Sequence, residues 1–154
     1  MSNQDRHPPR VQDVMSRDPL VVHREDDAEP LLTLFEKRDY NAVPVVDAEG
    51  HLLGVVTKLS LLRLLRGGRV AAISEPSSPS SLRVGDVMDT RKVSVEPADD
   101  LDAVVRQMTR YRVRSVPVVE RSGSRRRLVG MVSRGDLLRG MARRPASMEA
   151  NPAD

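Results

Sequence analysis

No cysteine occurs among the 154 residues, which excludes disulfides and thiolate metal sites and suits a reducing cytoplasm. Aromatic side chains are nearly missing too. Phe35, Tyr40 and Tyr111 are too few to build stacking platforms for single-stranded nucleic acid. No apolar run approaches the roughly 18 residues that span a bilayer, and residues 1–10 are polar, without the apolar core of a signal peptide. Charge of one sign is not in large excess: 25 Lys and Arg against 22 Asp and Glu leave a net +3, which argues against a nucleic-acid partner. The P-loop, nucleophile elbow and Gly-x-Gly-x-x-Gly patterns are absent, so catalysis finds no support. His7, His23 and His51 are scattered, with no second ligand at metal spacing, and no metal is expected. Together these absences predict a soluble, cytoplasmic protein that is not an enzyme and does not enter a membrane.

What the chain does contain is a duplication. Val11-Gln12-Asp13-Val14-Met15 returns as Val84-Gly85-Asp86-Val87-Met88, a displacement of 73 residues (11 to 84). In the same register Val22 matches Val95, Asp26-Asp27 match Asp99-Asp100, and Val43-Pro44-Val45-Val46 match Val116-Pro117-Val118-Val119. The displacement then grows to 76 (54 to 130), where Gly54-Val55-Val56-Thr57-Lys58-Leu59-Ser60 answers Gly130-Met131-Val132-Ser133-Arg134-Gly135-Asp136. The three extra residues fall in the turn 122–127, where a hairpin tolerates insertion.

Each copy reads as strand, helix, strand, strand, helix, an α+β pattern. Short extended runs are expected at 19–22 and 92–95. Asp26 or Asp27, with Glu29 beyond, reads as a helix start, and Leu31, Leu34 and Phe35 follow helical spacing, as do Leu101, Val104, Val105 and Met108. Hairpins follow at 42–46 with 52–56, and at 115–119 with 128–132. Second helices run over 58–66 and 134–143. Pro44 and Pro117 are expected at strand starts or edges. The boundaries are a tail at 1–10, repeat 1 at 11–68, a Ser/Pro linker at 69–83, repeat 2 at 84–143 and a tail at 144–154.

At the end of repeat 2, residues 130–136 run from a strand into a helix start. There Ser133 can present its hydroxyl and neighbouring N–H groups to an anion, and Asp136 can accept hydrogen bonds from a pair of sugar hydroxyls. Asp26-Asp27 and Asp99-Asp100 are helix-start acids rather than a catalytic pair. Arg121 with Arg125-Arg126-Arg127 reads as a solvated basic turn.

Duplicated units with Asp-Val-Met openers, Val-Pro-Val-Val strands and Gly-x-x-Ser/Thr-x-x-Asp closers resemble the cystathionine-β-synthase (CBS) domain family, whose tandem pair is called a Bateman module. The resemblance covers about residues 11–142. It implies two βαββα repeats packed about a pseudo-twofold axis, with adenosyl ligands (AMP, ADP, ATP or S-adenosylmethionine) in clefts between them. A homodimer and a separate regulated partner protein are implied as well. An alternative is a dimeric interaction scaffold that needs no ligand.

Carried over by residue, the resemblance gives Asp136 the ribose, Ser133 and Arg134 the phosphate side, and Met131 the base. Ser16, Leu20, Val21, Tyr40, Asn41 and Ala42 are expected on the opposite wall, with Arg114 reaching phosphate. A second cleft would use Val55, Thr57, Ser60, Val93 and Val113. There Ser60 replaces the ribose-binding aspartate, and the site is expected to be weaker, adapted to another ligand, or empty.

Overall fold

In 52–57 burial alternates: Leu52, Gly54 and Val56 are buried while Leu53, Val55 and Thr57 are half-buried, the period-two mark of a strand. The computed structural model describes residues 7–38, 40–66 and 82–142. The expected C-terminal tail, most of the N-terminal tail and most of the linker lie outside the described residues. The described chain is a mixed α+β structure. Its helices are α1 (Val11–Val14), α2 (Glu29–Lys37), α3 (Lys58–Arg66), α4 (Val84–Val87), α5 (Leu101–Tyr111) and α6 (Arg134–Ala142). Its strands are β1 (Ser16–Arg17), β2 (Val22–His23), β3 (Ala42–Val46), β4 (Leu52–Thr57), β5 (Ser115–Ser122) and β6 (Arg125–Ser133).

These elements gather into two compact units whose membership does not follow the repeats. The first takes residues 93–120 and 129–142 from repeat 2 but includes the opener of repeat 1. Val11 is fully buried there among Val95, Leu101, Val104, Val116 and Val118. Its N–H donates to the Asp99 carbonyl at 2.9 Å, and the Gln12 N–H donates to the Pro97 carbonyl at 2.9 Å. The sheet of this unit has the order β1-β6-β5.

The second unit, 19–92 with 121–128, takes the opener of repeat 2 in the same way. Val84 and Val87 pack with Leu31, Phe35, Val43, Val45 and Val56. The Val84 N–H donates to Asp26 O at 2.8 Å, and Gly85 N–H to Arg24 O at 2.9 Å. Its sheet is β2-β3-β4, with β2 parallel and β4 antiparallel to the central β3. The openers thus exchange: each caps the core built by the other repeat. A fully buried valine stabilises by about 1.5–3 kcal/mol, so neither exchange is incidental.

Several local expectations are corrected. The openers are single helical turns, each started by an aspartate that accepts a backbone N–H three residues back, Asp13 from Arg10 and Asp86 from Arg83. The run 19–22 pairs only at its end, where Val22 with the following His23 forms β2, and 92–95 only at Val95. Asp26 does not cap α2. Its carboxylate accepts the His23 N–H instead, and Asp27 accepts from Glu29 N at 3.2 Å. Asp100 does cap α5, accepting from Ala103 N at 2.9 Å. Pro44 sits third in the central strand β3, not at an edge. Its counterpart Pro117 shows why this is harmless: Val95 donates to the Pro117 carbonyl and accepts from Val119 N, so no N–H is asked of the proline.

Candidate functional site

Strand β6 ends at Ser133 and α6 begins at Arg134, and the closer residues lock that junction as a reciprocal cap. The Ser133 N–H donates to Asp136 Oδ2 at 2.9 Å, and the Asp136 N–H donates to Ser133 Oγ at 3.2 Å. The box satisfies donors that the first helical turn would leave open. It also fixes a carboxylate, 9% exposed, at the positive end of a nine-residue helix. The second oxygen, Oδ1, accepts from the Arg139 guanidinium one turn on. Arg139 is 67% exposed, so this contact is worth about 1 kcal/mol or less. One oxygen of Asp136 is therefore held by backbone and the other by a side chain that a ligand can displace at little cost.

The same unit brings other predicted residues to this junction. Ser16 on β1 stands opposite Met131 on β6, and Arg17 opposite Gly130. Only glycine fits at 130, because a Cβ there would lie 2.8 Å from the Ser16 carbonyl oxygen and 3.0 Å from Met15 Sδ. The Arg134 N–H donates to the Arg114 carbonyl at 3.1 Å, which ties the strand approach to the helix start. Ser16, Arg114 and Arg134 have exposed side chains, while Met131 and Ser133 are half-buried. Leu20, Val21, Tyr40, Asn41 and Ala42 belong to the other unit; Leu20 is exposed and the rest are half-buried. There Ala42 opens β3 opposite Thr57.

The closer of repeat 1 forms the same box from hydroxyls alone. Ser60 N–H donates to Thr57 Oγ1 at 3.1 Å, Thr57 N–H to Ser60 Oγ at 3.3 Å, and the two hydroxyl oxygens lie 3.0 Å apart. The cap survives, but the Thr57–Ser60 pair places no charge at the start of α3. Val55 lies half-buried beside Thr57 on β4. Val93 and Val113 belong to the other unit, Val93 in its core and Val113 packed against it.

Two features escaped the sequence reading. One is Arg139, an unremarked cation that reaches back one helical turn. The other is a cluster in the β3–β4 turn, which corrects the expectation that the histidines stand alone. His51 Nδ1 lies 3.2 Å from Asp47 Oδ2 and 3.5 Å from Glu49 Oε2, and one ligand-type atom from each residue falls within 4.8 Å of the others. The signal was the i, i+2, i+4 spacing of the three residues, which a tight turn folds together. The His51 backbone N–H, with lesser help from Glu49 N–H and the His51 ring, holds the Asp47 carboxyl below the usual carboxylate range.

Comparison with known proteins adds to this geometry. The family model of the CBS domain matches residues 11–67 and again 84–143. The uncharacterized protein MJ1004 of Methanocaldococcus jannaschii is 29% identical over 134 residues, which are 87% of this chain and 57% of MJ1004. The chain therefore spans little more than half the length of that relative. The uncharacterized protein YlbB of Bacillus subtilis is 31% identical over 129 residues, 83% of this chain and 79% of YlbB. Among solved structures, CBSX2 in complex with AMP superposes with a TM-score of 0.69 at 25% identity, covering 86% of this chain and 96% of CBSX2.

Proposed function

Because this chain belongs to the CBS domain family and carries the domain twice, we propose that it is a regulatory module that binds an adenosyl ligand at the β6–α6 junction. AMP, ADP, ATP and S-adenosylmethionine are the ligands of this class. The observation that carries the reading is the Ser133–Asp136 box, which holds a nearly buried carboxylate with one oxygen engaged only by an exposed arginine. In this reading Asp136 accepts the two ribose hydroxyls as Arg139 swings away. The freed guanidinium, Arg114 and the α6 N-terminus then favour the phosphate. The AMP complex of CBSX2 supports the ligand class. Binding regulates a separate partner protein if the ligand favours one packing of the chain over another, since only differential affinity shifts an equilibrium. The reading makes the protein a sensor rather than an enzyme, and the cysteine-free composition supports a cytoplasmic setting. No described helix is long and apolar enough to cross a membrane.

A thermal-shift panel tests the proposal with AMP, ADP, ATP and S-adenosylmethionine. A ligand at about 100 times its Kd adds roughly 2.7 kcal/mol, a melting rise of roughly 5–10 °C at about 2–4 °C per kcal/mol. No rise with any of the four would defeat it.

A second reading, a dimeric scaffold, is favoured by exposed leucines. Leu62 on α3 and Leu138 on α6 occupy the same repeat position and are 52% and 68% exposed, and Leu59, one turn before Leu62, is also exposed. Light scattering separates the two readings: a dimer that forms without ligand, together with a flat thermal panel, would favour the scaffold.

A further inference from the structure

The hairpin of repeat 2 exceeds that of repeat 1 by three residues, and the longer turn is rich in arginine. Gly123 turns it with φ +63°, a left-handed conformation that glycine adopts freely. Its outer part, 121–128, belongs to the same compact unit as the β3–β4 turn. Leu128 N–H donates to the Gly50 carbonyl at 3.0 Å, and Arg127 bridges His51. These contacts set the two turns around one cavity of about 430 Å³. That volume falls within the ordinary range of small-molecule sites.

Four cations line the cavity: Lys92, Arg121, Arg125 and Arg126. Two carboxylates line it too, but both are engaged in their own turn. Asp47 accepts the Glu49 and His51 N–H groups at 2.9 Å each, and the His51 ring lies against Asp47 and Glu49 alike. Four cationic side chains against two carboxylates leave the lining with a formal net charge of +2 (4 − 2, His51 neutral). Burial first, and the neighbouring Arg121 charge second, push the Arg126 guanidinium below its ordinary range. Arginine stays charged at neutral pH all the same. A phosphate group matches the guanidinium fork.

We propose that the cavity lined by Arg121, Arg125, Arg126 and Lys92 binds a phosphate-chain anion of about pyrophosphate size. None of these residues belongs to the set predicted for the adenosyl ligand, and the inference stands whether or not that proposal holds. A free anion and the phosphate chain of a nucleotide share the required chemistry.

The test is calorimetric titration of the full chain with inorganic pyrophosphate at roughly 0.15 M salt, where the Debye length of about 8 Å suppresses diffuse attraction. Saturable binding of one equivalent is expected, weakened tenfold or more in R121Q/R126Q and in the single variant R126Q. Melting temperatures near wild type would show that both variants fold. Absence of saturable binding in the wild type, or equal binding in the folded variants, would overturn the proposal. So would loss of binding in Arg114→Gln with retention in R121Q/R126Q, which would put the anion elsewhere. If binding holds, adding ADP to pyrophosphate-loaded Asp136→Ala names the source: displacement points to a nucleotide chain, and failure to displace points to the free anion. Both results leave the site standing.

Discussion

Asp136 accepts the Ser133 N–H through one oxygen and the Arg139 guanidinium through the other, so a substitution there acts on α6 and on any ligand together. Hydrogen bonds to a charged group are worth about 1.5–3 kcal/mol, and Asp136→Ala should weaken nucleotide binding by on the order of 10–100-fold. Arg139→Gln should do the reverse. With its guanidinium 67% exposed, the ion pair is worth about 1 kcal/mol or less, so its loss should tighten ribose binding by no more than about fivefold. Titration with adenosine, which has no phosphate for Arg139 to meet, reads that effect cleanly; weaker adenosine binding in the variant would contradict it. Ser60→Asp in repeat 1 should keep the cap, because an aspartate also accepts the Thr57 N–H, and should add the missing carboxylate. The expected calorimetric outcome is a binding stoichiometry that rises above the wild-type value, and an unchanged stoichiometry would argue that more than Ser60 separates the two repeats. Asp136 was legible from the sequence because it closes a repeated motif. Arg139 was not, since an arginine one turn into a helix looks the same whether it meets solvent or reaches back to a carboxylate.

Among the elements, the openers show most clearly what a sequence pattern conveys and what it omits. Their repetition and their valines marked them as structural, yet nothing in an apolar residue says which core it joins. Val11 lies in the core of repeat 2 and Val84 in that of repeat 1, both fully buried. Val→Ala at either position removes two carbons worth roughly 0.8 kcal/mol each and leaves a cavity, so each should cost about 2 kcal/mol in urea unfolding. A loss below about 0.5 kcal/mol for either would mean that the exchanged opener does not support the core. The helices and hairpins were legible because their burial periods, near 3.6 and 2, are written in consecutive residues. The extended runs ending at Val22 and Val95 were legible too, but their pairing with Val45 and Val118, and that of β1 with β6, were not, because pairing depends on residues far away in the chain. Asp27 and Asp100 occupy matching repeat positions, yet only Asp100 caps its helix, while Asp27 accepts the Glu29 N–H. Asp26 is drawn to the His23 N–H, as its match Asp99 is to the Glu96 N–H, in a turn whose geometry the residue type does not reveal.

At the scale of the whole molecule, two CBS domains in one chain define the family, and the chemistry at the β6–α6 junction gives the family membership a specific meaning here. The two closers share a cap but differ in charge: Ser133 with Asp136 offers a carboxylate, and Thr57 with Ser60 offers only hydroxyls. This asymmetry was readable in the sequence as one substitution. Its consequence, a box that still closes without the charge, required the coordinates. The account therefore predicts one strong adenosyl site per chain rather than two. Parallel calorimetric titrations of wild type and Asp136→Ala with AMP, ATP and S-adenosylmethionine test that claim most directly. The account predicts saturable binding of at least one ligand at one equivalent per chain, weakened at least tenfold in a variant that still melts cooperatively. Equal affinity in the two proteins, or two equivalent sites in the wild type, would contradict it.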